Sequence, residues 1–183
     1  MNAEIDISNV IIKTERLVLR PWKLDDLDDL FEYAKVDGVG QKAGWLPHQN
    51  KDESLRILNR FIEGKKTFAI EFNHKVIGSV GIELYSEEEL PEFKDLKGRE
   101  IGYVLSKDYW GQGIMPEAVK AVINYCFKEI KLDFLVCGHY FSNAQSRRVQ
   151  EKCGFHHYKI SLRETQYDTI EDNWISLLMN EEK

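Results

Sequence analysis

The sequence predicts a mixed α/β fold of the α+β kind: a twisted, partly antiparallel sheet of about seven strands, with a helix opened by a glycine loop at its centre. Three observations predict it. Runs of period-two hydrophobicity alternate irregularly with runs of helical period, so strict βαβα alternation is absent. Two of the strand runs meet at a two-residue turn, which makes an antiparallel pair. The glycines of KDYWGQGIMPEA, Lys107 to Ala118, stand directly between a strand pattern and a helix pattern. With 183 residues, the chain is long enough to bury its own core, and a single domain over 1–183 is expected.

Taken in order, RLVLRPW (Arg16 to Trp22) alternates apolar and basic residues as far as Pro21 and predicts a first strand. In LDDLDDLFEYAK, Leu24, Leu27, Leu30, Phe31 and Ala34 fall on one helical face and the aspartates on the other. Val36 to Asn50 carries glycines, a proline and no period, so a long loop is expected. Asn50 with Glu53 forms a capping-box pattern for a second helix, whose buried stripe is Leu55, Leu58, Phe61 and Ile62 and whose end is Gly64.

TFAIEF, the turn Asn73-His74 and KVIGSVGIELY predict a hairpin, and the charged stretch Ser86 to Gly98 a solvated loop. Arg99 to Leu105 is the fourth predicted strand. After the glycine loop, Val119, Val122, Ile123, Cys126 and Phe127 mark one face of a helix. DFLVCGHYF is the fifth strand, NAQSRRVQEKC a short helix closed by Gly154, and runs at Phe155–Glu164 and Asp172–Met179 complete the sheet.

Thirty-one acidic against 25 basic residues give a net charge of −6. That excludes a nucleic-acid binder held by a broad basic face and favours a basic partner. Cys126, Cys137 and Cys153 are an odd count whose spacings match neither a disulfide framework nor a metal motif, which fits a reducing cytosol. MNAEIDISNV lacks a basic segment before a long apolar run, and no stretch reaches membrane-spanning length. A soluble cytoplasmic protein with no membrane partner is expected.

Gly111 and Gly113 permit a tight turn and leave amide N–H groups bare. With the unpaired N–H groups and positive dipole end of the helix that follows, those amides can cradle a diphosphate. A plain strand-to-helix turn needs the same glycines, so both readings stay open on them alone. Neither GxxxxGK[ST] nor GxGxxG occurs, which excludes a Walker loop and a Rossmann fingerprint.

The run EIGYVLSKDYWGQGIMPEA, followed about thirty residues later by NAQSRRVQEKCGF, resembles the acetyl-CoA site of the GNAT N-acetyltransferases. TERLVLRPW and AGWLPH are similar, more narrowly, to the RimJ/RimL type, which acetylates N-terminal amines of ribosomal proteins. The superfamily pattern [R/Q]-x-x-G-x-[G/A] falls on Trp110, Gly111, Gln112, Gly113, Ile114 and Met115, and only its central glycine matches. A backbone cradle needs neither end residue, and Pro116 suits the first helical turn.

The resemblance implies a cleft where the fourth and fifth predicted strands splay. The pantetheine arm and a backbone N–H for the thioester carbonyl would then fall at Tyr103, Val104 and Leu105. It also implies acetyl transfer directly to a primary amine. Glu100 is the first candidate for the base, with His139 and His48 as rivals.

The superfamily's helical tyrosine, which protonates the thiolate, corresponds to Gln150. Ser146, one turn earlier on the same helical face, is the acid that the resemblance to the RimJ/RimL type implies. Asn143 is expected to hold the pantetheine amide or a water, to cap the helix, or both. Trp45 and His48 could wall the acceptor pocket. Cys137 is read as a buried hydrophobe rather than a nucleophile.

The acceptor expected from the resemblance is a protein N-terminus, with a polyamine or an aminoglycoside as the enzymatic alternative. A CoA-binding module without turnover is the non-enzymatic one. Monomer or homodimer is the family-level expectation.

Overall fold

The computed structural model describes residues 1–181. Strands β1 (Ile12–Lys13), β2 (Leu17–Pro21), β3 (Thr67–Phe72), β4 (Lys75–Glu83), β5 (Gly98–Leu105), β6 (Phe134–Tyr140), β7 (His156–Glu164) and β8 (Ile170–Met179) alternate irregularly with four α-helices. These are α1 (Leu27–Ala34), α2 (Lys51–Gly64), α3 (Ile114–Lys128) and α4 (Ala144–Lys152). The sheet has eight strands rather than about seven, in the order β1-β2-β3-β4-β5-β6-β8-β7. The additional strand, β1, is two residues long, too short for a period to show in sequence.

Local chemistry accounts for the elements. Asn73 and His74 both have positive φ, +49° and +63°, as a two-residue turn matching the strand twist requires. Asn50 caps α2 by accepting the Glu53 N–H at 2.9 Å. One expectation is refined and one corrected. Gly64 is the last residue of α2 as expected, but the left-handed conformation falls on the next residue, Lys65, at φ +52°, whose carbonyl is held by the Ile7 N–H at 2.9 Å. Leu24 lies in a 3₁₀ turn before α1 and is 61% exposed. Three residues per turn take it off the apolar stripe.

α1 and α2 cover one face of the sheet, with Ala34 and Leu58 packing on Trp22, Ala69 and Val76. α3 and α4 serve the other face, where Val119, Val122, Cys126 and Cys153 meet Leu17, Phe68, Ile70 and Ile101. All strand pairs are antiparallel except β5 with β6. Among the described residues, no helix is long and apolar enough to cross a membrane.

Candidate active site

The β5–β6 ladder pairs only Gly98–Phe134, Arg99–Leu135 and Glu100–Val136. Beyond Glu100 and Val136 the two strands run on unpaired, so the sheet opens between them. A cleft of about 550 Å³ occupies the gap, lined by β5, the Trp110–Pro116 stretch, β6 and α4. The turn at Gly40–Ala43 contacts both strands and roofs the gap on the α1–α2 side.

The glycine loop forms one wall. Gly111 and Gly113 adopt φ of +75° and +74°, and a Cβ placed on Gly111 would meet no atom within 4 Å. No side chain caps α3, so its first N–H groups remain available to an anion. The loop is braced from β2's end of the chain. Arg16 joins Glu117 through Nε at 2.7 Å and donates Nη1 to the Gln112 carbonyl at 2.9 Å, while Thr14 Oγ1 donates to Glu117 at 2.6 Å. Arg16 and Thr14 belong to the TERL block, whose link to the loop a hundred residues away has no local signal. Trp110 donates its indole N–H to the Leu105 carbonyl at 2.9 Å, tying the loop to the end of β5.

Strand alternation sorts the candidate side chains. Tyr103 shares the α3 face with Ile101 and Leu105, whereas Val104 joins the α1–α2 face, and Glu100 by the same period points there too. On the α3–α4 side, Ser146 Oγ lies 2.8 Å from the Tyr103 hydroxyl and accepts from Gln150 Nε2 at 3.4 Å. His139 is also on this side. Gln150 donates Nε2 to the Gly138 carbonyl at 3.1 Å, which orients its amide, and its Oε1 accepts from His139 Nδ1 at 3.0 Å. In the neutral ring the lone pair is therefore held on Nε2, and burial lowers the imidazole pKa.

On the opposite side, Glu100 meets Arg163 Nη2 at 3.0 and 3.1 Å. Burial raises the carboxyl pKa above its ordinary value, while the guanidinium pulls it down. Glu100 is the one carboxylate among the described residues lining the cleft. Arg163, Tyr140, Asn173 and Lys42 line the cleft as well and were not marked by any sequence motif.

Asn143 caps α4, accepting the Ser146 N–H at 3.1 Å, and donates Nδ2 to the Lys42 carbonyl at 3.1 Å. Cys137 is fully buried under Tyr103, and burial pushes its thiol pKa far up. It is no thiolate nucleophile. Three expected residues do not line the cleft. Gln112 turns its side chain to the Asp108 carbonyl at 3.1 Å. Trp45 packs on Gly40 and His48, and His48 is buried with Nδ1 at 2.7 Å from Ser54 Oγ. Ser54 of α2 holds His48, and Trp45 stacks on that imidazole rather than lining the gap.

Residues 16–156 match the acetyltransferase (GNAT) domain family. The chain is 31% identical over 128 residues to "Uncharacterized N-acetyltransferase p20" of Bacillus licheniformis, covering 66% of this chain and 67% of that protein. It is 40% identical over 81 residues to "Probable N-acetyltransferase YjcK" of Bacillus subtilis, of which the aligned stretch spans 45%, and 44% of this chain. The crystal structure of the acetyltransferase (GNAT family) from Bacillus anthracis superposes with a TM-score of 0.81 at 23% identity, covering 94% of this chain and 99% of that one.

The chain belongs to the GNAT acetyltransferase family, an acyltransferase family whose cosubstrate is acetyl-CoA. The lining suits that molecule. An uncapped helix start with the open cradle at Gly111 and Gly113 can take its diphosphate, Arg148 and Lys152 on α4 add positive charge, and the β5–β6 gap accepts an extended arm.

Proposed function

We propose that this chain transfers acetyl from acetyl-CoA directly to the N-terminal amine of a protein, with Glu100 as base and Ser146 as the acid nearest the departing sulfur. One observation carries the reading: the β5–β6 gap separates a carboxylate on one face from a hydroxyl on the other. An amine entering on the Glu100 side loses a proton to that carboxylate, directly or through water, and presents its lone pair across the gap. Bare β5 amides between Tyr103 and Leu105 polarise the carbonyl. Acetyl-CoA supplies the activated carbonyl and a thiolate leaving group. Trp110, Ile114 and Met115 contribute to its binding through the main chain and the wall of the cleft, and Asn143 keeps α4 in place beside it.

An acceptor that enters end-on is supported by the roof. Gln166 N–H donates to the Gly44 carbonyl at 2.9 Å and Tyr167 OH to the Gln41 carbonyl at 3.1 Å, so the β7–β8 tip is tied to the loop over the gap. A chain terminus passes such an opening more readily than a lysine in the middle of a folded surface. The TERLVLRPW and AGWLPH blocks, similar to the RimJ/RimL type, point to the same acceptor class.

Calorimetry with acetyl-CoA, followed by thiol release against free N-terminal peptides, Nα-blocked lysine peptides, polyamines and aminoglycosides, tests the proposal. Release with free N-terminal peptides is expected. Release confined to the small amines would replace the acceptor, and binding without release on any acceptor would leave a cofactor-binding module.

A further inference from the structure

The helical position that resembles the family's tyrosine holds Gln150, which has no proton to give. Ser146 alone is a weak answer, because an aliphatic hydroxyl is a far poorer acid than a phenol. The fold brings a phenol to the place from another element. Tyr103 leaves β5 toward α4, and its Oη stands 2.8 Å from Ser146 Oγ and 3.1 Å from the Ser146 carbonyl. Both residues line the cleft, while Gln150, 2% exposed, lies behind them and holds Ser146 Oγ and the Gly138 carbonyl together.

We propose that Tyr103 is the proton source for the departing sulfur, with Ser146 as the relay and Gln150 as a positioning residue. The inference rests on the acetyl transfer proposed above. In the step, the C–S bond breaks and its electron pair goes to sulfur. Ser146 Oγ–H breaks as S–H forms, and Tyr103 Oη–H breaks as a new Oγ–H forms, so Ser146 ends unchanged. The phenolate left on Tyr103 recovers a proton from water at the cleft mouth, which balances the second proton that the nitrogen sheds after attacking the carbonyl, while the first, taken by Glu100 before the attack, passes on to solvent. Burial raises the Tyr103 pKa well above that of an exposed phenol, so the hydroxyl is protonated in the resting site and yields its proton only in concert with the C–S cleavage that builds negative charge beside Ser146.

The test uses the full chain with acetyl-CoA and an amine that the wild type acetylates. Tyr103→Phe and Ser146→Ala are each expected to lower kcat by about a hundredfold, with acetyl-CoA affinity by calorimetry within about twofold. The double variant is expected to be no slower than the slower single one, because both act on one path. The wild-type kcat is expected to show a solvent deuterium isotope effect from the two-proton relay, and Tyr103→Phe to shrink that effect along with kcat, which a packing role would not do.

Unchanged kcat in Tyr103→Phe, or losses that multiply in the double variant, would overturn the proposal. A wild-type kcat without a solvent isotope effect would do the same even if Tyr103→Phe failed to fold. These outcomes leave the transfer reading intact. A wild type that binds acetyl-CoA but releases thiol with no amine would overturn both.

Discussion

Glu100 and Arg163 show how a residue's chemistry is settled by neighbours far along the chain. The carboxylate was legible as a candidate base because it stands in a strand pattern beside the glycine loop. Its partner comes from β7, 63 residues later, and no local pattern announces it. Because burial raises the Glu100 pKa and Arg163 opposes that shift, the acidic limb of kcat/KM is expected above the ordinary carboxylate value of about 4.3. Arg163→Met should move it higher still, and a limb that moves down would exclude Glu100 as the titrating base.

The sign for stability follows the same shift: the folded state holds this proton more tightly. Glu100's contribution therefore declines as pH rises from the ordinary value through the raised one. Trp45 and His48 illustrate the converse. Their residue types suited a site, and their tertiary contacts engage them elsewhere.

Elements were the most legible level, because hydrophobic period and capping residues are local. The hairpin at Asn73-His74, the Asn50 cap and the α3 stripe all stand as the pattern implied. A boundary shifted at Leu24, which falls in a 3₁₀ turn before α1 rather than on its apolar stripe. The glycine loop is the element on which function turns, and its energetics can be separated. At Gly111 an added methyl meets nothing within 4 Å, so Gly111→Ala pays only for its positive φ. We expect a loss of roughly 1 to 2 kcal/mol in urea unfolding. A larger proportional loss of acetyl-CoA affinity is expected in calorimetry, since the methyl stands over the cradle. Retained affinity would count against the diphosphate assignment.

For the molecule as a whole, the cleft depends on where β5 and β6 stop pairing. Phe134, fully buried beside the rings of Tyr85 and Phe93 at 5.1 and 4.7 Å, packs where β5 and β6 are still paired, opposite Gly98. A Cβ on Gly98 would come within 2.1 Å of its ring, so the glycine is needed for the strands to meet there. Phe134→Ala should lower stability by about 3 to 5 kcal/mol and weaken acetyl-CoA binding as the junction loosens. A small change in unfolding would place the junction's support elsewhere. Charge is also a whole-molecule matter. The net charge of −6 suggested a basic partner, yet the cleft is lined by Lys42, Arg148, Lys152 and Arg163 against the lone Glu100. Composition reports a sum, whereas a ligand meets a local field.

By itself, the sequence determined the helices and most strands, the bare amides ahead of α3 and membership of the GNAT family, since period, glycine and motif are properties of neighbouring residues. The splaying of β5 from β6 was implied by the motifs, but the tertiary structure alone decided that they part after three pairs and that Glu100 and Tyr103 serve opposite faces of the resulting gap. It alone joined a phenol from β5 to a serine on α4 and turned Trp45 and His48 away. Those outcomes depend on register and packing between segments tens of residues apart, and no local pattern encodes such distances.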